Sequence, residues 1–182
     1  MVKGARGMFS DDIVYKRVRG KLVLAKAPSF DEDRELTEKQ KARVRFFQKA
    51  VKYADIVEAD PDLRALYQTG ITLKKYTARH VAMSDYFNAP RIERVDTSKY
   101  RGQPGETIII EATDDFMVDE VSVTIADSLG TELERGVGIK NPRGVDEWIY
   151  TATVANSSLP GTKITIAAKD KAGNVTTGER VL

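Results

Sequence analysis

The chain has 182 residues, 41% apolar and 31% charged, a balance that suits a globular protein and excludes wholesale disorder. It contains no cysteine, which excludes disulfides, thiolate metal sites and cysteine nucleophiles. The net charge of +2 conceals an asymmetry: residues 1–90 carry 18 Lys and Arg against 12 Asp and Glu, and residues 91–182 carry 11 against 15.

The first segment, residues 1–36, reads as a basic arm. Met1 to Phe9 has a basic start with no apolar stretch behind it, so a secretory signal is not expected and the cytoplasm is the default compartment. Val14, Lys16 and Val18, then Leu22 and Leu24, alternate as one or two short strands about Gly20, in the manner of a hairpin. Pro28 and the acidic run Asp31 to Asp33 end it.

A helical unit of about three helices follows over residues 37–90. Thr37 with Gln40 fits a capping box, in which a hydroxyl and an amide satisfy backbone donors at the helix start. Val44, Phe47, Val51 and Ala54 recur at helical spacing, with Ala50 and Val57 widening the stripe, while Lys41, Arg45, Lys49 and Lys52 fall on the opposite face. Asp60-Pro61 opens a short second helix carrying Leu63, Leu66 and Tyr67, which Gly70 stops. A third helix is expected from Thr72 to about Asn88, with Leu73, Tyr76, His80, Met83 and Phe87 lining one face and Pro90 ending it.

From Ile92 the period changes to two. Ile108, Ile110 and Ala112 alternate with polar or outward positions, as do Val121, Val123 and Ile125, then Trp148, Tyr150, Ala152 and Val154, then Ile164, Ile166 and Ala168. Weaker strands are expected at Ile92–Asp96, Glu132–Ile139 and Val175–Leu182, with turn signals between them. About seven short half-buried strands in residues 91–182 is the pattern of an antiparallel sandwich. Even the longest apolar runs, such as Ile108 to Ile110, fall far short of the roughly 20 residues that span a bilayer.

Specific stretches carry a resemblance. Pro104-Gly105-Glu106-Thr107-Ile108, Ala112-Thr113-Asp114-Asp115 with Val118, Val121 to Ile125, and Ile164 to Thr176 resemble bacterial immunoglobulin-like domains of surface and phage proteins. That resemblance implies a β-sandwich in which the last stretch is the F–G hairpin and Trp148 sits in the core. It is nearly silent on activity, because the fold hosts adhesion, decoration and spacer roles alike. Arg19-Gly20-Lys21-Leu22-Val23 and the stretch Leu36 to Ala54 resemble small uncharacterised proteins of Bacteroidota-type bacteria, from which no activity carries over.

Little in the sequence points to catalysis. His80 is the one histidine, so a multi-histidine metal site is excluded, and its place between Tyr76 and Met83 favours a half-buried ring bonded to a carbonyl or hydroxyl over a lone acid/base. There is no G-x-S-x-G elbow, P-loop or G-x-G-x-x-G. Asp114, Asp115 and Asp119 lie in one loop, with Asp170 a candidate for the same end of the sandwich, and such hard oxygen ligands hold Ca2+ in other proteins. The EF-hand spacing is absent, however, and aspartate is a common turn former, so no metal or other cofactor is assigned.

The expected fold is therefore α+β in two parts: a small helical N-terminal unit with an extended basic arm, then an all-β immunoglobulin-like sandwich. The expected function is non-enzymatic, an assembly component that self-associates or docks on a protein partner, with no small-molecule substrate. The alternative is a nucleic-acid-associated protein. The surface common to both is Lys16, Arg17, Arg19 and Lys21 on the arm with Lys41, Arg45, Lys49 and Lys52 on the first helix.

Overall fold

The computed structural model describes residues 7–10, 13–18, 21–27 and 35–182, so Arg19 of the basic surface lies outside the described residues. The protein is mixed α+β and divides into two compact units, Met1–Ala42 and Arg43–Leu182.

In the first unit β1 (Gly7–Ser10), β2 (Ile13–Val18) and β3 (Lys21–Lys26) form an antiparallel sheet in that order. The two strands expected about Gly20 are β2 and β3; β1 is an addition that the sequence pattern does not announce. Pairing of Tyr15 with Leu24 and Ile13 with Lys26 puts Ile13, Tyr15, Leu22 and Leu24 on one face. Val14, Lys16, Val23 and Ala25 share the other. Apolar residues thus sit on both faces, and no described side chain of this sheet is buried.

Helix α1 (Glu38–Ala59) starts as its capping box predicts: Thr37 N donates to Gln40 Oε1 and Gln40 N donates back to Thr37 Oγ1. Its buried residues are Ala50, Ala54 and Val57 alone, and no residue from Glu38 to Lys49 is buried. The expected stripe is thus corrected at its first half: Val44 and Phe47 are exposed, and full burial begins only at Ala50. Helix α2 (Pro61–Gln68) has Asp60 as its N-cap, accepting from Asp62 N and Leu63 N.

Helix α3 is shorter than expected and faces another way. It runs Ala78–Phe87, capped by Thr77, whose hydroxyl accepts from His80 N. Leu73 and Tyr76 precede it and are exposed. Its buried face is Ala78, Val81, Ala82 and Asp85, small residues that let the helix approach its neighbours closely, rather than the larger His80, Met83 and Phe87. Ala54, Val57, Tyr67, Ala78, Val81 and Ala82 form one cluster, against which Tyr53, Leu63, Met83 and Phe116 pack.

Two four-stranded antiparallel sheets follow. One has the order β4 (Arg91–Asp96), β5 (Thr107–Thr113), β9 (Glu147–Thr151), β8 (Ile139–Lys140). The other has the order β11 (Val175–Val181), β10 (Lys163–Asp170), β6 (Val118–Ala126), β7 (Glu132–Val137). The alternating residues read from the sequence make their common core: Ile108, Ile110 and Ala112 from β5, Val121, Val123 and Ile125 from β6, Trp148 and Tyr150 from β9, and Ile164, Ile166 and Ala168 from β10. Full burial of an aliphatic side chain contributes about 1.5–3 kcal/mol, so this cluster dominates the stability of the second unit. Val154, expected to continue the β9 stripe, is exposed because the strand ends at Thr151.

Helices and strands of the second unit meet at one end of the sheets. Phe116, in the loop between β5 and β6, stacks on Tyr67 with ring centroids 4.6 Å apart. Tyr53 Oη donates to the Lys171 carbonyl, and Asn174 Nδ2, in the β10–β11 turn, donates to the carbonyl of Asp85. No helix among the described residues is long and apolar enough to cross a membrane.

Candidate functional site

The helix–sheet junction gathers three carboxylates from distant parts of the chain. Asp85 comes from the buried face of α3, Asp114 from the loop after β5, and Asp170 from the end of β10; one oxygen of each lies within 4.8 Å of the others. Asp85 and Asp170 are fully buried and Asp114 is partly so. Asp114 also lines a cleft of about 270 Å³ with Asn88, Ala89, Arg91, Thr113 and Asp115.

Local bonding satisfies only part of this cluster. Tyr67 Oη donates to Asp85 Oδ2 at 2.5 Å, while Asp85 Oδ1 has no partner. Phe116 N donates to Asp114 Oδ2 at 2.8 Å, while Asp114 Oδ1 is likewise buried and unbonded. Asp170 accepts from Asn174 N and Nδ2, both at 2.7 Å. No described Lys, Arg or His pairs with any of the three; Lys75 is bound to Asp115 and Lys171 to Asp119.

Burial governs how these acids titrate. Removal from water pushes the Asp85 carboxyl up to about 7, against the Tyr67 hydrogen bond that lowers it, and the charge of Asp170 adds to the rise. Desolvation also raises Asp114, opposed by the Phe116 N–H, and raises Asp170, opposed by Asn174. Tyr67 is pushed up by burial and by its bond to Asp85.

The structure thus separates the acids that the sequence groups together. Asp115 accepts from Lys75 Nζ, Ser84 Oγ and Asn88 Nδ2, and Asp119 from Lys171 Nζ, which makes both tethers between elements. Asp85 is absent from the sequence grouping. Its signal was its place at the i, i+3, i+4, i+7 spacing of Ala78, Val81 and Ala82, a lone acid on a face of small residues. His80 differs from expectation: its ring lies edge-on to Tyr76 at 4.3 Å, and its buried Nδ1 has no carbonyl or hydroxyl partner.

The basic surface falls into two parts. Lys41, Arg45, Lys49 and Lys52 share one exposed face of α1, with Lys41 bound to Glu38 at 3.0 Å. Lys16 on β2 and Lys21 on β3 are exposed, and Arg17 pairs in register with Leu22. Beside the α1 cations lies an aromatic cluster, Phe46 against Tyr86 and Phe87 and Phe47 stacked on Phe87. No protein-family model matches the chain, and no curated protein or solved structure matches it.

Proposed function

We propose that the protein is a non-enzymatic assembly component, in which an immunoglobulin-like module is held by a docking sheet and helix that associate with a second copy of the chain. The strand orders support the module. Taking β4 to β11 in turn as A, B, C, C′, D, E, F and G, one sheet reads A-B-E-D and the other G-F-C-C′, the constant-type arrangement with one added edge strand.

The observation that carries the docking reading is the β1–β3 sheet. Leu22 and Leu24 are 46% and 58% exposed on one face, Val23 is exposed on the other, and none of its described side chains is buried. Its outer strands β1 and β3 have no further strand partner among the described residues. Such a sheet gains both apolar cover and backbone pairing from a neighbour. The basic N-terminal and acidic C-terminal halves favour a head-to-tail contact between copies.

The test is light scattering coupled to size-exclusion chromatography on the full chain, beside Leu22→Asp/Leu24→Asp. Oligomers that the double substitution reduces to monomers support the reading. A wild-type monomer at every concentration and salt overturns self-assembly.

A second reading rests on the exposed row Lys41, Arg45, Lys49 and Lys52: contact with a nucleic-acid backbone. It requires binding of a labelled duplex that weakens steeply with salt and weakens again when the four become Gln. Absent or salt-independent binding removes it.

A further inference from the structure

We propose that Asp85, Asp114 and Asp170 hold one hard divalent cation of the calcium class, which ties α3 to the ends of β5 and β10. The first ground is geometry. Calcium binds oxygen at about 2.3–2.6 Å, so two ligands on opposite sides of it stand about 4.6–5.2 Å apart. Three carboxylate oxygens all within 4.8 Å of one another therefore fit one coordination sphere.

The second ground is independent of that clustering. Asp85 is fully buried, yet its Oδ1 has no hydrogen-bond partner. Burial of an unpaired carboxylate oxygen costs several times what an ordinary hydrogen bond contributes, and a native fold normally answers it with a donor, a proton or a metal. Asp114 Oδ1 repeats the same deficit beside it. Lys75 and Lys171 are engaged by Asp115 and Asp119, Arg91 lines the cleft beside Asp114 without pairing with it, and no described Lys, Arg or His forms an ion pair with any of the three acids.

Ligand chemistry selects the ion. The donors are carboxylates alone, with no cysteine in the chain and the one histidine outside the group, which disfavours zinc and copper and favours an oxygen-seeking ion. Asp114 borders the cleft that it shares with Asn88 and Thr113, which provides an entry path and room for the waters that complete a calcium sphere. The competing answer to the same deficit is a proton shared among the carboxyls.

The experiment uses the full chain. Terbium luminescence, sensitised by the adjacent Tyr67, is titrated and then displaced with CaCl2, and thermal melts are run in EDTA and in about 10 mM Ca2+, above the weakest, ~10⁻³ M, class of calcium sites. Asp85→Asn alone would be ambiguous because a buried residue is disturbed, so the deciding variant is the partly exposed Asp114→Asn, with Asp119→Asn as the neighbouring control. The expected result is one saturable site, a melting temperature several degrees higher in Ca2+ than in EDTA, at least a tenfold loss of affinity in Asp114→Asn, and no loss in Asp119→Asn. Identical melts in EDTA and Ca2+, or terbium binding unchanged by Asp114→Asn, would overturn the site and leave the shared proton as the explanation.

Discussion

The α-carbon of Gly70 faces the ring of Phe116 so closely that a Cβ there would stand 2.7 Å from Phe116 Cδ2 and 2.8 Å from Val81 Cγ1. Gly70 ends the second helix, and Phe116 is the side chain that the β5–β6 loop sends into the helical cluster. The absence of a side chain at one position is thus what admits an aromatic ring at the other.

Gly70→Ala is therefore expected to destabilise the second unit by about 1–3 kcal/mol, the usual cost of overpacking. In a Phe116→Ala background the same change should cost less, because the clash with the ring is gone and only that with Val81 Cγ1 remains. Urea denaturation of the four variants measures this coupling, and strictly additive costs would contradict the contact.

Glu134, on the edge strand β7, fastens one sheet to the other. Its Oε2 accepts from Thr153 N at 2.8 Å, Thr153 Oγ1 at 2.7 Å and Val154 N at 3.2 Å, just beyond the end of β9. Hydrogen bonds to a charged group contribute about 1.5–3 kcal/mol, so Glu134→Ala should lower stability by about that much. A shift in the urea midpoint equivalent to less than about 0.5 kcal/mol, the level of a neutral surface substitution, would show the clamp to be idle.

Two turn carboxylates contribute to the acid limb of stability. Glu106 Oε2 accepts from Arg101 N and Gln103 N, and Asp127 Oδ1 accepts from Leu129 N and Thr131 N. These backbone bonds hold both acids below their ordinary values. A depressed folded-state value means a contribution present above the unfolded value and lost as pH falls through the folded one. Glu106→Gln and Asp127→Asn should each flatten the fall in stability between pH 5 and pH 3, within the range about 4 where free carboxyls titrate. Curves that keep the wild-type slope would show that these bonds do not favour the charged form.

The capping box of α1 lies where the helix has no buried side, since no residue from Glu38 to Lys49 is buried. Thr37→Ala, a loss of about 1 kcal/mol in a typical helix, should fray those turns without changing the melting temperature of the second unit. Faster amide exchange over residues 38–45 with an unchanged melt is the expected pair of results. A lowered melting temperature would mean that the first turns of α1 pack on something in solution.

Most strands were legible because the residues that alternate are the residues that meet in the core, from Ile108 to Ala168. The start of α3 was not. Thr72 Oγ1 accepts from Lys74 N and Lys75 N, so it makes the local bonds of a cap without a helix to follow, and Thr77 supplies the real one. The stripe of α1 was legible only from Ala50 onward, since periodicity reports which face could be buried and not how far along the helix a neighbour extends. Asp85 was hidden for a related reason: a single acid among alanines looks like surface until Asp114 and Asp170 arrive from the sheets.

The bond from Asn174 has a bearing on synthesis. Its Nδ2 reaches the carbonyls of Asp85, Tyr86 and Asn88, the open acceptors at the C-terminal end of α3, from 86 to 89 positions later in the chain. A ribosome has made all three helices and the strands β4 to β10 before that side chain exists. The helices of the second unit are consequently translated early and finished late, and a nascent chain arrested before residue 174 should hold them in a protease-sensitive form.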